Sequence, residues 1–373
     1  MSLPNSSLAK HCNNEFLQPL LILCSLVYNW VMIDQELSLF HDTSPILSIT
    51  DLQTPLPCDE RLWHSSNSTE WHEMIQEMRI GSDDVEYRSC TFYHQDLSLS
   101  SMFQNMLSGE QKLKSRQLSA IHLKLLLHPL QMLVYHLGQL QGCFYGMYEN
   151  QHRTRPHTTA SISLQLGEVQ SSLEKWHDLA MQNHRLDSEC PITNGSLVLY
   201  HIIYLNTVTY FPGIERVIRR EESNGNSWKA ALQSRYFIHH SDKAVFHALQ
   251  TLELIRNMPK SGRPPWWSAA LYRATMILWV DRVAMSYQVI SYEEKQSEMF
   301  KSDTANDIAI RAYLSHNYCT PSLAMRDGEC EKPTLPDEIL LHCVAILENG
   351  VPSRFSDGIK RKMQTILKNW KGV

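Results

Sequence analysis

The sequence predicts an all-α fold, a multi-helix bundle or irregular helical array carrying two proline-rich loops. Three observations lead there. Apolar residues recur at alternating spacings of three and four over long stretches, which places them on one face of a 3.6-residue helix. Strand signals are scarce: Asn194-Gly195 and Asn224-Gly225 lie beside helical patterns rather than between alternating β-branched runs. Proline concentrates in two segments, and Pro212 and Pro259 follow helical patterns as stops, because proline lacks the donor a helix interior requires.

Taken in order, the elements are as follows. Leu17 to Ile33 is the longest apolar stretch, but Gln18, Pro19 and Asn29 interrupt it, and about 17 to 25 apolar residues are needed to cross a bilayer. A membrane span is therefore not expected. Only Lys10 precedes the stretch, and Tyr28, Trp30 and Met32 stand where a signal peptide would need small residues for cleavage. His41 to Trp63 contains Pro45, Pro55 and Pro57 and is expected to be an extended loop. Leu118 to Tyr148 is densely helical.

The clearest single stripe follows: Ile162, Leu166, Val169, Leu173, Trp176 and Ala180 are expected in the core. Leu197 to Phe211 is expected to stop at Pro212-Gly213, and Val245 to Met258 at Pro259. Trp266 to Val289 is apolar nearly all round and is expected to be a central helix. Tyr318 to Pro336, with Pro321, Pro333 and Pro336, is the second expected loop. Lys360-Arg361-Lys362 opens a basic stretch suited to nuclear import or an acidic partner, although cations near a helix carboxyl end need no such purpose.

Composition narrows the function classes. The 373 residues are 43% hydrophobic and 20% charged, which describes a globular chain and not a disordered or fibrous one. A net charge of -5 supplies no general attraction for a phosphate backbone. Nine cysteines, an odd number and widely scattered, fit a reducing compartment better than a disulfide framework.

Motifs of known chemistry are absent from the sequence. It holds no Gly-x-Ser-x-Gly elbow, no phosphate-cradling Gly-x(4)-Gly-Lys loop and no Gly-x-Gly-x-x-Gly turn. Asp83-Asp84 and Asn306-Asp307 lack the further acidic partners that a metal-dependent helical enzyme would require. Eighteen histidines invite a search for a metal site, but His239, His240 and His247 do not share one helix face, nor do His122, His128 and His136. No catalytic residue, metal ligand or cofactor is nominated, and the chain is expected not to be an enzyme.

One region carries a resemblance. Asp34 is followed by Leu37-Ser38-Leu39-Phe40, by Ile49-Thr50-Asp51-Leu52, by Leu56-Pro57-Cys58-Asp59-Glu60 with Leu62-Trp63, and by Glu70-Trp71. This pattern resembles the later part of the fungal-specific transcription factor domain, the helical middle region of fungal zinc-cluster and zinc-finger regulators. The match covers about the first fifth of the chain. The resemblance implies residues 1–110 as the later part of that regulatory domain and 111–373 as a helical carboxy-terminal region packed with it as one unit. It implies a transcriptional regulator, in the nucleus, with partners in the transcription machinery or a DNA-binding protein, and control of a secondary-metabolite gene cluster.

Asp34, Leu56, Pro57, Cys58, Glu60, Trp63 and Trp71 carry the motif and read physically as structural: prolines hold the chain extended while tryptophans bury large surfaces. Asn67 or Ser68 ahead of Glu70 and Glu73 is a candidate helix cap. The sequence departs from the family in holding neither six clustered thiolates nor a Cys2His2 finger, so DNA reading would fall to a missing segment or a partner. Such domains are thought to receive small apolar effectors, and Trp266, Trp267, Met276, Trp279 and Met285 form the candidate pocket. The alternative is a stand-alone small-molecule-binding or scaffold protein, or a truncated relic, without transcriptional work.

Overall fold

The computed structural model describes residues 14–56, 69–70, 73, 98–108, 118–148, 156–219, 237–286, 298–301, 319–324, 330–331 and 336–371. Ten helices account for most of them. They are α1 (Asn14–His41), α2 (Leu99–Ser108), α3 (Ala120–Tyr148), α4 (Pro156–Leu186), α5 (Pro191–Val208), α6 (Phe211–Arg219), α7 (Ser241–Asn257), α8 (Trp267–Ser286), α9 (Pro336–Glu348) and α10 (Arg354–Lys371). The fold is all-α in its body, as the periodicity predicts. None of these helices is long and apolar enough to cross a membrane.

The chain divides into two compact units, one of residues 1–38 and 45–129, the other of 39–44 and 130–373. The first unit is built on the inner face of α1. Cys24, Tyr28 and Val31 are buried there, together with Leu52, Leu56, Leu99, Met102, Phe103 and Leu123 to Leu127 apart from Lys124. The Tyr28 hydroxyl donates to the Thr54 carbonyl at 2.6 Å and accepts from the Leu99 amide at 3.4 Å, tying helix, loop and α2 together. The described part of the first expected loop, residues 42–56, contains no helix and no strand longer than an isolated bridge at Pro55.

Helix starts follow from local chemistry. Ser98 and Ser101 cap α2 reciprocally: the Ser98 Oγ accepts the Ser101 amide at 3.1 Å, and the Ser101 Oγ accepts the Ser98 amide at 2.9 Å. Ser353 and Ser356 repeat the device at α10, both bonds at 3.0 Å. Each pair is a capping box with serine in the fourth place instead of glutamate. At the other end of α1, Asp42 takes a left-handed φ of 53°, a conformation that aspartate tolerates better than most residues and that stops the helix.

The second unit is organised around α8, which packs against α5, α7, α9 and α10, while α4 covers α5. From Trp266 to Val280 its residues are buried without interruption. The expected stripe on α4 is also borne out, with Ile162, Leu166, Val169, Leu173, Trp176 and Ala180 all buried. Gly350, after α9, must be glycine: a Cβ there would stand 2.4 Å from the Trp267 ring.

Two boundaries differ from expectation. Leu197 to Phe211 is not one helix stopped by Pro212; α5 ends at Val208, and Phe211 opens a new helix with Pro212 in its first turn. Proline is favoured at that position because its absent N–H would have no helical partner. The Tyr318–Pro336 segment, expected as a loop, contributes β2 (Cys319–Ala324) and β3 (Cys330–Glu331) to a small three-stranded sheet with β1 (Glu298–Lys301). β1 and β2 run parallel with Glu298 opposite Cys319, and β2 and β3 antiparallel with Leu323 opposite Glu331. Extended backbone rich in proline and β-branched neighbours can serve either role, and pairing decides between them.

Candidate functional site

Within the first unit, Asp34 is the one motif acid whose role the structure makes visible. It is 6% exposed, yet its carboxylate is well supplied with donors. The Ile46 amide donates to both oxygens, at 3.1 Å and 2.9 Å, and the Leu47 amide to Oδ2 at 3.2 Å. His128 Nε2 lies 3.5 Å from the same oxygen. A carboxylate is needed because one acceptor group must satisfy several donors where the chain reverses after α1. Burial pushes the His128 pKa down, opposed by the hydrogen bond and charge of Asp34. Asp34 is thus a clasp that fixes a loop. Leu56 is buried as well; Pro57, Cys58, Glu60, Trp63 and Trp71 lie outside the described residues.

In the second unit, the aromatic residues of the α8 region are occupied by protein. Trp266 stacks on Phe40 at 5.3 Å, Arg263 lies over Trp267 at 4.8 Å, and Trp279 meets Trp370 edge-on at 5.6 Å. Met276 is fully buried, whereas the Met285 side chain falls outside the described residues. The indole Nε1 groups of Trp266 and Trp279 are buried with no hydrogen-bond partner, and so are Thr193 Oγ1 and Ser268 Oγ. Unmet donors of this kind are uncommon in a settled core and cost about 1–3 kcal/mol each.

Charges are embedded beside that aromatic wall. Arg273, 3% exposed, donates to Asp42 at 2.7 Å and to Asn206 at 3.3 Å, with its guanidinium 4.5 Å from the Phe211 ring. Glu215 accepts from the Tyr272 hydroxyl and from Lys362 Nζ, the latter at 2.6 Å, and Lys362 also sits 4.5 Å over the Tyr272 ring. Burial and the adjacent Glu215 carboxylate both raise the Tyr272 pKa, keeping the phenol protonated as a donor. Of the basic run on α10, Lys362 therefore turns inward, Lys360 pairs with Glu348 at 3.1 Å, and Arg361 donates to the Asp357 carbonyl at 3.3 Å.

A third constellation links α4, α5 and α7. His201 and His247 face each other with their Nδ1 atoms 2.8 Å apart, both buried. Only one hydrogen can occupy that gap, so one ring donates and the other accepts. Burial drives both pKa values well below the ordinary histidine value, each further depressed by other cationic or potentially cationic neighbours: His247 and His177 for His201, His177 and Lys243 for His247. Tyr204 stacks on His247 at 3.8 Å and Tyr200 on His177 at 4.9 Å. Among the described residues no group of three His, Cys, Asp or Glu side chains could hold a metal ion.

Neither a catalytic dyad open to substrate nor a ring of metal donors is built from these parts; they position helices. Comparison with known proteins finds similar chains. The chain is 36% identical over 344 residues to Transcription factor 1 of Elsinoe fawcettii, covering 92% of this chain and 35% of that protein. It is 35% identical over 352 residues to Transcription factor PfmaH of Pestalotiopsis fici, covering 92% and 35%. A protein of Zymoseptoria tritici, also named as a transcription factor, is 33% identical over 362 residues, covering 91% and 37%. The relatives are fungal transcription factors by name. The chain spans little more than a third of their length. No family model matches the chain, and no solved structure does.

The pairings at these nodes were not nominated from sequence, although Lys362 was singled out as part of a basic patch and His247 in the search for a metal site. Glu215 and Lys362 are 147 positions apart, and His201 and His247 are 46 apart, so periodicity within either helix carries no trace of the pairing. Arg273 could have been noticed: a lone cation in an otherwise apolar helix face is buried only when paired.

Proposed function

We propose that the chain is a non-enzymatic regulatory region of a fungal transcriptional regulator, acting in the nucleus through proteins of the transcription machinery or through a DNA-binding protein or segment. One observation carries this reading. Similarity to proteins named as transcription factors runs through nine-tenths of the chain, at 33–36% identity in three of them. The Leu-Pro-Cys-Asp-Glu stretch and the Asp34 clasp support it, the latter by giving the motif acid a structural task. On this reading residues 1–110 and 111–373 are successive parts of one regulatory region, and its target is a secondary-metabolite gene cluster.

The test is a fusion of residues 1–373 to a foreign DNA-binding domain, with a reporter gene bearing that domain's site. The expected result is reporter output changed several-fold in either direction. An unchanged reporter, with the fusion present in the nucleus, would sink the proposal.

A second reading, a small-molecule-binding protein without transcriptional work, draws on the unpartnered buried donors at Thr193, Trp266, Ser268 and Trp279. An apolar effector carrying an acceptor oxygen would satisfy such groups. Thermal unfolding against a panel of apolar metabolites separates the readings. Stabilisation abolished by Trp266→Phe and Ser268→Ala, with no reporter activity, would favour the second; no stabilisation by any compound removes it.

A further inference from the structure

Two donors in the second unit stand buried without an acceptor, and both border the start of one helix. Arg263 gives its Nε to the Met258 carbonyl at 3.4 Å and lies over the Trp267 ring at 4.8 Å. Its buried Nη1 has no partner, and among the described residues no carboxylate pairs with it. Burial lowers the Arg263 pKa with no neighbouring charge to oppose the fall, yet a guanidinium stays protonated at physiological pH. Trp266 is 7% exposed, and its Nε1 is equally unmet.

The first turn of α5 adjoins them. A Cβ on Gly195 would stand 4.0 Å from Cζ2 of Trp266, a ring carbon two bonds from Nε1, so the donating edge of the indole is turned toward that helix. A Cβ on Gly262, the neighbour of Arg263, would stand 3.8 Å from the Cβ of Pro191, where α5 begins. Helix α5 runs 18 residues, and Cys190 at its N-cap makes no side-chain bond to the free amides. Thr193, in the same turn, is 2% exposed with its Oγ1 unmet. The positive end of a helix dipole, an unpaired guanidinium and an indole N–H are thus neighbours.

Their chemistry narrows the ligand. Guanidinium and indole nitrogens only donate, so what meets them must accept. A water molecule would accept but leave the Arg263 charge unpaired, whereas an oxyanion meets both demands and suits a helix start. The rim is apolar, with Pro191, Ile192, Pro259 and Pro265 exposed there, which favours an anion carrying a hydrocarbon body over a bare inorganic ion.

We propose that Arg263, Trp266 and the first turn of α5 form a binding site for a small organic carboxylate with an apolar body. Its oxygens accept from Arg263 Nη1 and Trp266 Nε1, and its hydrocarbon part lies along the proline rim. The inference rests on the small-molecule reading, to which it adds a place and a charge, and it is compatible with transcriptional work.

The probe is octanoate, with octanamide as its neutral counterpart, added to the full chain carrying isotopically labelled tryptophan. The readout is the indole N–H resonance of Trp266, identified by its loss in Trp266→Phe. The expected result is a saturable shift of that resonance with a dissociation constant below about 1 mM, and binding of octanamide and of inorganic phosphate at least ~10-fold weaker. Arg263→Gln, which keeps donors but not the charge, should weaken octanoate at least ~10-fold with circular dichroism unchanged. Lys260→Gln, which removes an exposed cation three residues away, should leave binding as it is. A Trp266 resonance unmoved by octanoate up to about 10 mM overturns the proposal, and so does equal binding by octanamide, by phosphate or by the Arg263→Gln chain. Should octanoate fail while a neutral metabolite still stabilises the chain, this site falls and the small-molecule reading stands.

Discussion

Helices α1 and α8 read alike in sequence and end differently in the fold. Both are apolar on most sides, and an all-round apolar helix is expected to be enclosed. Helix α8 is enclosed: α5, α7, α9 and α10 of its own unit surround it, and Trp279 on it is fully buried. Helix α1 buries Tyr28 and Val31 but leaves Trp30 55% exposed. The difference lies in what the chain supplies. The α8 segment is followed and preceded by helices long enough to wall it, whereas among the described residues no helix covers the outward seam of α1. Hydrophobicity states that a face must be covered; it does not state which molecule covers it.

The sharpest way to break this comparison is to truncate α8. Trp279→Ala removes a fully buried indole that meets Trp370, and it should cost about 3–5 kcal/mol in urea unfolding through lost burial and the cavity left behind. A loss under ~1 kcal/mol would mean that α8 is not the centre of its unit.

Asp34→Ala is next in size. It strands the Ile46 and Leu47 amides and removes the partner of His128, so about 2–3 kcal/mol should be lost by the same measurement. Asp34→Asn keeps one acceptor oxygen and should cost less. Equal damage from both would mean that charge, not acceptor number, holds the loop.

The His201–His247 pair gives the α8 unit a pH dependence. Both histidines have folded pKa values well below the unfolded value near 6.5, so the unfolded state binds more protons once the pH falls below about 6.5. The contribution of neutral burial is complete above that pH and is lost progressively as the pH drops toward the folded values. Each histidine steepens the loss by up to about 1.4 kcal/mol per pH unit, for roughly 2 kcal/mol between pH 6.5 and 5.5. Thermal unfolding from pH 5.5 to 7.5 should show this slope in the wild type, and His201→Asn with His247→Asn should flatten it.

How much of this could be read without coordinates depends on distance along the chain. The α4 stripe and the end of α7 at Pro259 are local facts, set by spacing and by the missing proline donor, and both are legible. Pro212 was legible as a break but not as the opening of α6, because a proline suits the first turn of one helix as well as the end of another. Asp34 was singled out through its motif, yet its amide partners come from a turn 12 and 13 residues away and its histidine from α3, 94 residues on. Glu215 and Lys362 meet only because α6 and α10 both pack near Tyr272. Tertiary pairing of this kind leaves no periodic mark.

The smallest effect is the one that sharpens the comparison most. Trp30→Ala changes the same residue type as Trp279→Ala, but on the uncovered face of α1. The folded chain already leaves about half of that indole in water, so truncating it removes little burial, and the expected cost is under ~1 kcal/mol in urea unfolding. A cost near that of Trp279→Ala would show instead that the chain itself covers the seam. In that event α1 would be enclosed as fully as α8, and the contrast between the two helices would vanish.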